Sequence, residues 1–393
     1  MLQNKILLLS LSYPPVLNAQ AIRWKYFTNI WKKHGIDVDV INPFNDFRGK
    51  FLKYPFRFLL RRRMAFRSHS ELNSTLDKVL RYLLYTYELL LLGDTFWDWN
   101  LFLKKRIGES ELSTYSAIIV SSELHISTIL PTLWLNHKKV IVDVADPPIS
   151  NYFLGKPLFQ KFHDFLFRKA LQKANKIIVS STMLRAFLSN KFDVPSNKIF
   201  TIYQGFPLLL AKSKQYVSSK GPIKLGYAGN FIKKIREPDA LITGLKPFIK
   251  KIQFHYLGKK DYWTMKFKRE LGSSFVFAGV LSHEKTLSYL SKMDVLVYLG
   301  NRTSYQMPGK FFEYLGLKKP ILFIYQDEND EAMRISRSLE VPAIYSYNEA
   351  AGISKAIYRL LNSYPRLSKA TCKDISRFSW EAQAEKYLDL LLM

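Results

Sequence analysis

Ser304-Tyr305-Gln306-Met307-Pro308-Gly309-Lys310-Phe311-Phe312-Glu313-Tyr314-Leu315-Gly316-Leu317-Lys318-Lys319-Pro320-Ile321-Leu322 reads as a loop with Pro and Gly that runs into a short helix, then a tight turn and a strand. A helix that feeds directly into a strand is part of a βαβ unit, and repeated units of that kind build a parallel sheet. Such a loop and helix N-terminus point amides at an anion. An acid one turn in, Glu313, has the acceptors to take two hydrogen bonds from a ribose diol, or serves only to cap the helix.

The alternation extends outward in both directions. Around this stretch, strands are expected at Lys224 to Ala228, Gln253 to Leu257, Phe275 to Ala278, Val295 to Tyr298, Ile321 to Ile324 and Ala343 to Tyr345. In the first half they are expected at Lys5 to Ser12, Asp37 to Ile41, Ala117 to Ser121, Val140 to Asp143, Lys176 to Ser180 and Ile199 to Tyr203. Between the two series, Phe206 to Pro222 loses periodicity and gathers Ser, Lys and Gly, which reads as a linker. The fold class is therefore α/β, with a domain over 1–205, a linker over 206–222 and a second domain over 223–378. Ligands of doubly wound sheets bind outside the carboxyl ends of the strands, so the chemistry is expected in the loops that follow them.

The 393 residues exceed what one core usually supports. A formal charge of +27 goes beyond the needs of solubility and calls for an anionic partner. The single cysteine, Cys372, excludes an internal disulfide, and no Cys/His spacing suits zinc. The residues from Met1 to Ala21 imitate a signal peptide, but Tyr13-Pro14-Pro15 interrupts the short apolar run and a buried first strand has the same composition. No segment reaches the roughly 18 uncharged residues of a membrane span. The expected location is cytoplasmic, at the inner face of the cell membrane.

That surface association rests on Arg48 to Arg67, which is rich in Arg and Lys, has no acid, and interleaves Phe56, Phe58 and other apolar residues with Arg57, Arg61, Arg62 and Arg63. Basic heads with aromatic wedges suit contact with an anionic membrane surface. The other reading is a basic loop whose aromatics pack inward. Nucleic acid is not expected as a partner, because no RRM, KH, helix-turn-helix or zinc-finger pattern is present.

The second domain opens with the strand Ile223 to Ala228, followed by Gly229-Asn230-Phe231-Ile232-Lys233-Lys234-Ile235-Arg236 ahead of a helix. Glycine lets the backbone approach a pyrophosphate, and the cations that follow neutralise it. Alone, the same residues also make a tight turn with solvated lysines. In the first domain, Asp146 follows a strand and is a candidate for an acceptor-hydroxyl or sugar contact, or a turn-capping acid before proline. His125 follows the preceding strand and is a candidate hydrogen-bonding group for substrate, or a structural histidine.

With these residues in view, the chain resembles the retaining glycosyltransferases of family 4, which have the GT-B fold of two Rossmann-like domains facing across a cleft. Their pattern P-x-K-x-x-E-Y-L-x-x-x-x-P-I/V-L is matched from Pro308 to Leu322. Ala174 to Ser181, Gln204-Gly205-Phe206, Phe277 to Val280, Met293 to Val297 and Phe378 to Glu381 match further segments. The resemblance implies that Gly229, Lys234 and Arg236 face the donor diphosphate, with Asn230 also in the donor site. It also implies that the loop Gly279 to Ser282, with Val280 and Leu281, lies against the base, that backbone amides near Gln306 and Met307 touch the phosphates or the sugar, and that Pro308 and Lys310 belong to the donor site. Glu313 would take the ribose. It further implies that residues 379–393 form a terminal helix that packs back on the first domain. Tyr305 stands where many members carry the first acid of an E-x7-E pair, and Asn18 and Ala19 replace the small glycines of the first loop.

The expected reaction moves a sugar from a nucleoside diphosphate sugar, UDP rather than GDP, to an acceptor hydroxyl with retention and without a metal or cofactor. Asp146, His125, Lys234 and Arg236 are its candidate catalytic groups. A lipid-linked or glycan acceptor, as in surface-polysaccharide or lipopolysaccharide assembly, fits the basic first domain. A nucleotide-sugar epimerase of the same fold and a noncatalytic nucleotide-sugar-binding subunit are the alternatives.

Overall fold

The computed structural model describes residues 5–16, 18–42, 94, 98–148, 160–212, 221–303 and 305–393. The basic segment with Phe56, Arg57, Phe58, Arg61, Arg62 and Arg63 lies outside them. By its internal contacts the chain divides into two compact units, Met1–Val179 with Leu188–Thr201, and Ser180–Phe187 with Ile202–Met393.

The first unit runs β1 (Lys5–Leu9), α1 (Ala19–Lys33), β2 (Asp37–Ile41), α2 (Asp98–Arg106), α3 (Glu109–Leu112), β3 (Ala117–Ser122), α4 (Pro131–Trp134), β4 (Val140–Val144), α5 (Gln160–Lys173), β5 (Lys176–Val179), α6 (Thr182–Phe192, its first half in the second unit) and β6 (Ile199–Thr201). These strands form one parallel sheet in the order β2-β1-β3-β4-β5-β6. Every residue of β3 and β4 is buried, as expected of parallel strands covered on both faces. α1 starts where the Asn18 side chain accepts from the Ala21 amide, and Trp24, Phe27 and Trp31 line its buried stripe.

The second unit continues with α7 (Leu208–Lys212), β7 (Ile223–Ala228), α8 (Asp239–Leu245), β8 (Ile252–Leu257), α9 (Tyr262–Leu271), β9 (Phe275–Phe277), α10 (His283–Leu290), β10 (Val295–Leu299), α11 (Lys310–Leu317), β11 (Ile321–Tyr325), α12 (Glu331–Ser338), β12 (Ala343–Tyr347), α13 (Ala350–Leu367) and α14 (Trp380–Leu392). Its parallel sheet has the order β12-β11-β10-β7-β8-β9. The pleat sends Ile321 and Phe323 into one apolar core and Leu322 and Ile324 into the other, so helices bury both faces.

All the expected strands form, with shifted ends. β1 stops at Leu9; beyond it the Ser10 hydroxyl donates to Ser12 O and the Ser12 amide to the Glu123 carboxylate, and β6 stops before Tyr203, whose amide donates to Gln383 Oε1 at 2.7 Å. The expected linker begins as part of the second unit's core. Phe206 is fully buried, it accepts from the Trp380 amide at 2.9 Å, and its ring lies where a Cβ on Gly316 would meet it at 2.6 Å. Packing, not composition, therefore anchors the chain from Ile202 onward, and α14 clusters with this unit.

Candidate functional site

Strand order reverses between β7 and β10 in the second sheet, which puts the loops after these two strands at the topological switch point. The loop after β7 begins at Gly229, whose φ of 142° excludes a side chain without strain. Its amide donates to Leu257 O at 2.9 Å, and a Cβ on Gly258 would stand 2.4 Å from its carbonyl oxygen. Two glycines thus let the ends of β7 and β8 approach each other.

The loop then closes on itself instead of opening directly into a helix. Ile232 and Arg236 exchange backbone hydrogen bonds of 3.0 and 2.8 Å, with Lys234 at the tip in the left-handed region, φ 65°. Lys233 and Lys234 are exposed there. Ile235 is buried, and its carbonyl accepts from the Arg302 amide at 3.0 Å and from Gln326 Nε2 at 2.9 Å, while Gln326 also donates to Gly300 O at 2.6 Å. One buried turn residue therefore ties together the loops after β7, β10 and β11.

Arg236 is half-buried at the root of this turn. One terminal nitrogen lies 3.8 Å from the position a Cβ on Gly229 would take. The guanidinium sits beside Tyr227; burial pushes that hydroxyl's pKa up, and the arginine opposes it. Arg236 Nε is buried without a hydrogen-bond partner, and no carboxylate pairs with the guanidinium among the described residues. Asn230 is exposed and its Oδ1 accepts from the Lys259 amide at 3.2 Å, which fastens the next loop.

α11 is joined to the same edge, because Tyr314 Oη accepts from the Ala228 amide at 3.1 Å. Glu313 lies in its first turn, buried, with Lys310 Nζ at 2.7 Å from Oε2 and His283 Nε2 at 3.2 Å from Oε1. Burial alone would raise the carboxyl pKa; the Lys310 charge and the His283 hydrogen bond outweigh it and hold the group below the usual carboxylate range. An ionised carboxylate keeps a second lone pair on each oxygen, enough to accept a diol. Lys310, one of the expected donor-binding residues, pairs with this carboxylate.

Gly279, at φ 74°, accepts from the Gly258 amide at 3.0 Å and leads into Val280, which is exposed, and Leu281, which packs on the core. Ser282 then caps α10 by accepting from the Lys285 amide, and His283 is the helix's first residue. The loop after β9 is thereby linked to Glu313. After β10, Asn301 Nδ2 donates to Gln306 O at 2.8 Å and Tyr305 stacks on Phe187 with ring centroids 4.4 Å apart. Gln306, Met307 and Pro308 are half-buried in this loop. The Gln306 amide, one of those expected to meet phosphate, points to Thr303 O at 3.4 Å, and the first turn of α11 uses the Phe311 and Phe312 amides on Pro308 O and Gly309 O.

In the first unit the switch point lies between β1 and β3. Ser12 donates from its amide (2.9 Å) and hydroxyl (2.6 Å) to Glu123, and Asn18 Nδ2 donates to Ser12 Oγ. His125 Nδ1 lies 3.5 Å from Asp94, a buried acid that accepts from the Ser127 amide and hydroxyl. Asp146 is half-buried just past β4, in a loop tied to β3 by the Ala145 amide on Ser122 O at 3.1 Å. Asp143, on β4 itself, is buried against Arg23 at 3.0 Å and is structural.

Sequence reasoning did not single out His283, Tyr314, Gln326, Asp94 or Glu123. Two had a local signal: Tyr314, which stands in the matched E-Y-L pattern, and His283, the first residue of a helix that follows a loop expected at the base. Among the described residues no group of three or more His, Cys, Asp or Glu side chains is arranged to hold a metal ion, and no helix is long and apolar enough to cross a membrane.

No family model and no curated protein matches the chain. Solved structures do. A glycosyltransferase from Rickettsia africae superposes with a TM-score of 0.60 at 13% identity, covering 98% of this chain and 97% of the other. HepE from Anabaena, in complex with UDP and glucose, gives a TM-score of 0.61 at 11% identity over 98% and 99% of the two chains. Sucrose-phosphate synthase from Thermosynechococcus elongatus gives 0.61 at 15% identity over 98% of each. At these identities the likeness establishes the fold, which is that of GT-B glycosyltransferases.

Proposed function

We propose that the chain is a glycosyltransferase that moves a sugar from a nucleoside diphosphate sugar to an acceptor hydroxyl. The observation that carries this reading is Arg236, a half-buried guanidinium without a carboxylate partner among the described residues, beside Gly229 at the switch point of the second sheet. Burying a cation is costly unless an anion balances it, and a diphosphate does so there. Glu313 takes the ribose diol and the Gly279 to Leu281 loop lies against the base. UDP is the proposed nucleotide over GDP, in line with the UDP and UDP-glucose held by the HepE structures.

The difficult step is departure of the diphosphate, whose growing charge needs fixed cations and donors. Arg236 supplies one from a rigid turn and Lys234 a second from its tip, so the reaction proceeds without a metal. Retention follows the resemblance at Pro308 to Leu322. The acceptor is lipid-linked or membrane-proximal, in keeping with the basic, aromatic residues 48–67, and Asp146 and His125 are its proposed contacts.

Calorimetric titration with UDP and GDP tests the reading. Saturable UDP binding that weakens about tenfold or more in Arg236→Ala is expected, since charge-assisted hydrogen bonds to phosphate are lost. Binding of neither nucleotide would leave a noncatalytic role, and epimer formation from a nucleotide sugar without acceptor would favour an epimerase.

A further inference from the structure

α5 in the first unit carries a face that its own sheet does not use. His163, Phe167, Ala170 and Leu171 are buried against the unit. Phe162, Phe165, Lys169 and Gln172 recur at helical spacing on the opposite side and are all exposed. Phe162 is 56% exposed and Phe165 52%, values at which a phenylalanine gains little from the fold itself. An open groove of about 600 Å³ runs along this face to Lys191 and Phe192.

The charges around the two rings are unequal. Arg168 pairs with Asp193 at 2.7 Å and Lys191 with Asp164 at 3.3 Å. Lys161 and Lys169 have no carboxylate partner among the described residues; Lys169 lies over the Phe165 ring at 5.7 Å. Lys173 is turned away, onto the carbonyls of Leu133 and Leu135. The stripe is thus two bare aromatic rings set among net positive charge. A second copy of the chain would bring the same positive face to it and be repelled.

The geometry points to this outward face of α5 as a bilayer-contact surface, in which Phe162 and Phe165 enter the headgroup boundary of an anionic membrane while Lys161 and Lys169 meet lipid phosphates. A helix of 14 residues lies flat along about 21 Å of surface, the arrangement of an interfacial helix with apolar wedges and basic flanks. The inference deepens the membrane-proximal part of the proposed function and rests on it only for its purpose, because vesicle binding and donor binding are measured separately. It also places a contact outside residues 48–67.

The test is co-sedimentation of the full chain with phosphatidylcholine vesicles, with and without phosphatidylglycerol, for wild type, Phe162→Ser/Phe165→Ser and Lys161→Glu/Lys169→Glu. Binding that requires phosphatidylglycerol and falls roughly tenfold in each double variant is expected. All four positions are exposed, so melting temperature and UDP affinity should stay at wild-type values; loss of UDP binding in wild type would count against the glycosyltransferase reading alone. Sedimentation unchanged in both variants would overturn the surface assignment. So would a vesicle-free dimer, or a complex with a single-stranded oligonucleotide, that these substitutions abolish.

Discussion

Glu313, the proposed ribose group, is held in place by its neighbours. Its two oxygens are each held by one cationic or imidazole donor, so the carboxylate is oriented before any ligand arrives. Glu313→Gln keeps the shape and removes the charge, and should lower UDP affinity about tenfold, the range for a lost hydrogen bond to a charged group. Titration calorimetry reads it, and an affinity equal to wild type would remove the ribose role. Asp330 behaves in the opposite sense. Burial pushes its carboxyl up to about 6, although the Met333 amide and the Tyr298 hydroxyl favour the ionised form. A raised carboxyl binds its proton more tightly in the folded state, so its stabilising effect is complete below the ordinary value of 3.8 and disappears as pH climbs through about 6. Ionising it costs about 3 kcal/mol at neutral pH by that shift. Asp330→Asn, which retains a cap for α12, should flatten the stability profile between these two pH values; denaturant melts across the window that keep the wild-type slope would contradict the assignment.

At the scale of elements, the ends of β7 and β8 lie close together because glycine stands at 229 and 258. Gly258→Ala would place a methyl group against the Gly229 carbonyl and the Tyr256 ring, and backbone yields less readily than a long side chain. The expected result is about 1–3 kcal/mol of destabilisation, together with a loss of UDP affinity as the Gly229 loop moves. An unchanged affinity would mean that this loop does not approach the nucleotide. The strands themselves were legible in the sequence because buried parallel strands leave uniform apolar runs such as Ile118 to Val120 and Ile321 to Ile324. The turn at Ile232 to Arg236 was not. Its tip is a lysine in the left-handed region, where composition gives no warning, and it is imposed by the burial of Ile235 and by Arg302 and Gln326 pulling on its carbonyl. The same holds for the pairs His283 with Glu313 and Asp94 with His125. Each joins residues from different segments of the chain, and only the fold brings them together.

For the molecule as a whole, the two roles proposed for a net charge of +27, at a lipid surface and at a diphosphate, are ones that ionic strength can separate. Exposed cations at a lipid surface are screened once ions crowd within about 8 Å, the Debye length near physiological salt. The Arg236 charge sits half-buried, with its Nε fully enclosed, and is less accessible to screening. Raising salt from low to about 0.5 M should therefore detach the protein from phosphatidylglycerol vesicles while UDP affinity changes by less than about threefold. Parallel sedimentation and calorimetry over one salt series make the comparison. If both properties fall together, the nucleotide is held by the same solvated cations that hold the membrane, and the half-buried arginine is not the seat of diphosphate recognition. If vesicle binding persists, the exposed phenylalanines of α5 outweigh the charge around them, and neutral lipid should then serve as well as anionic.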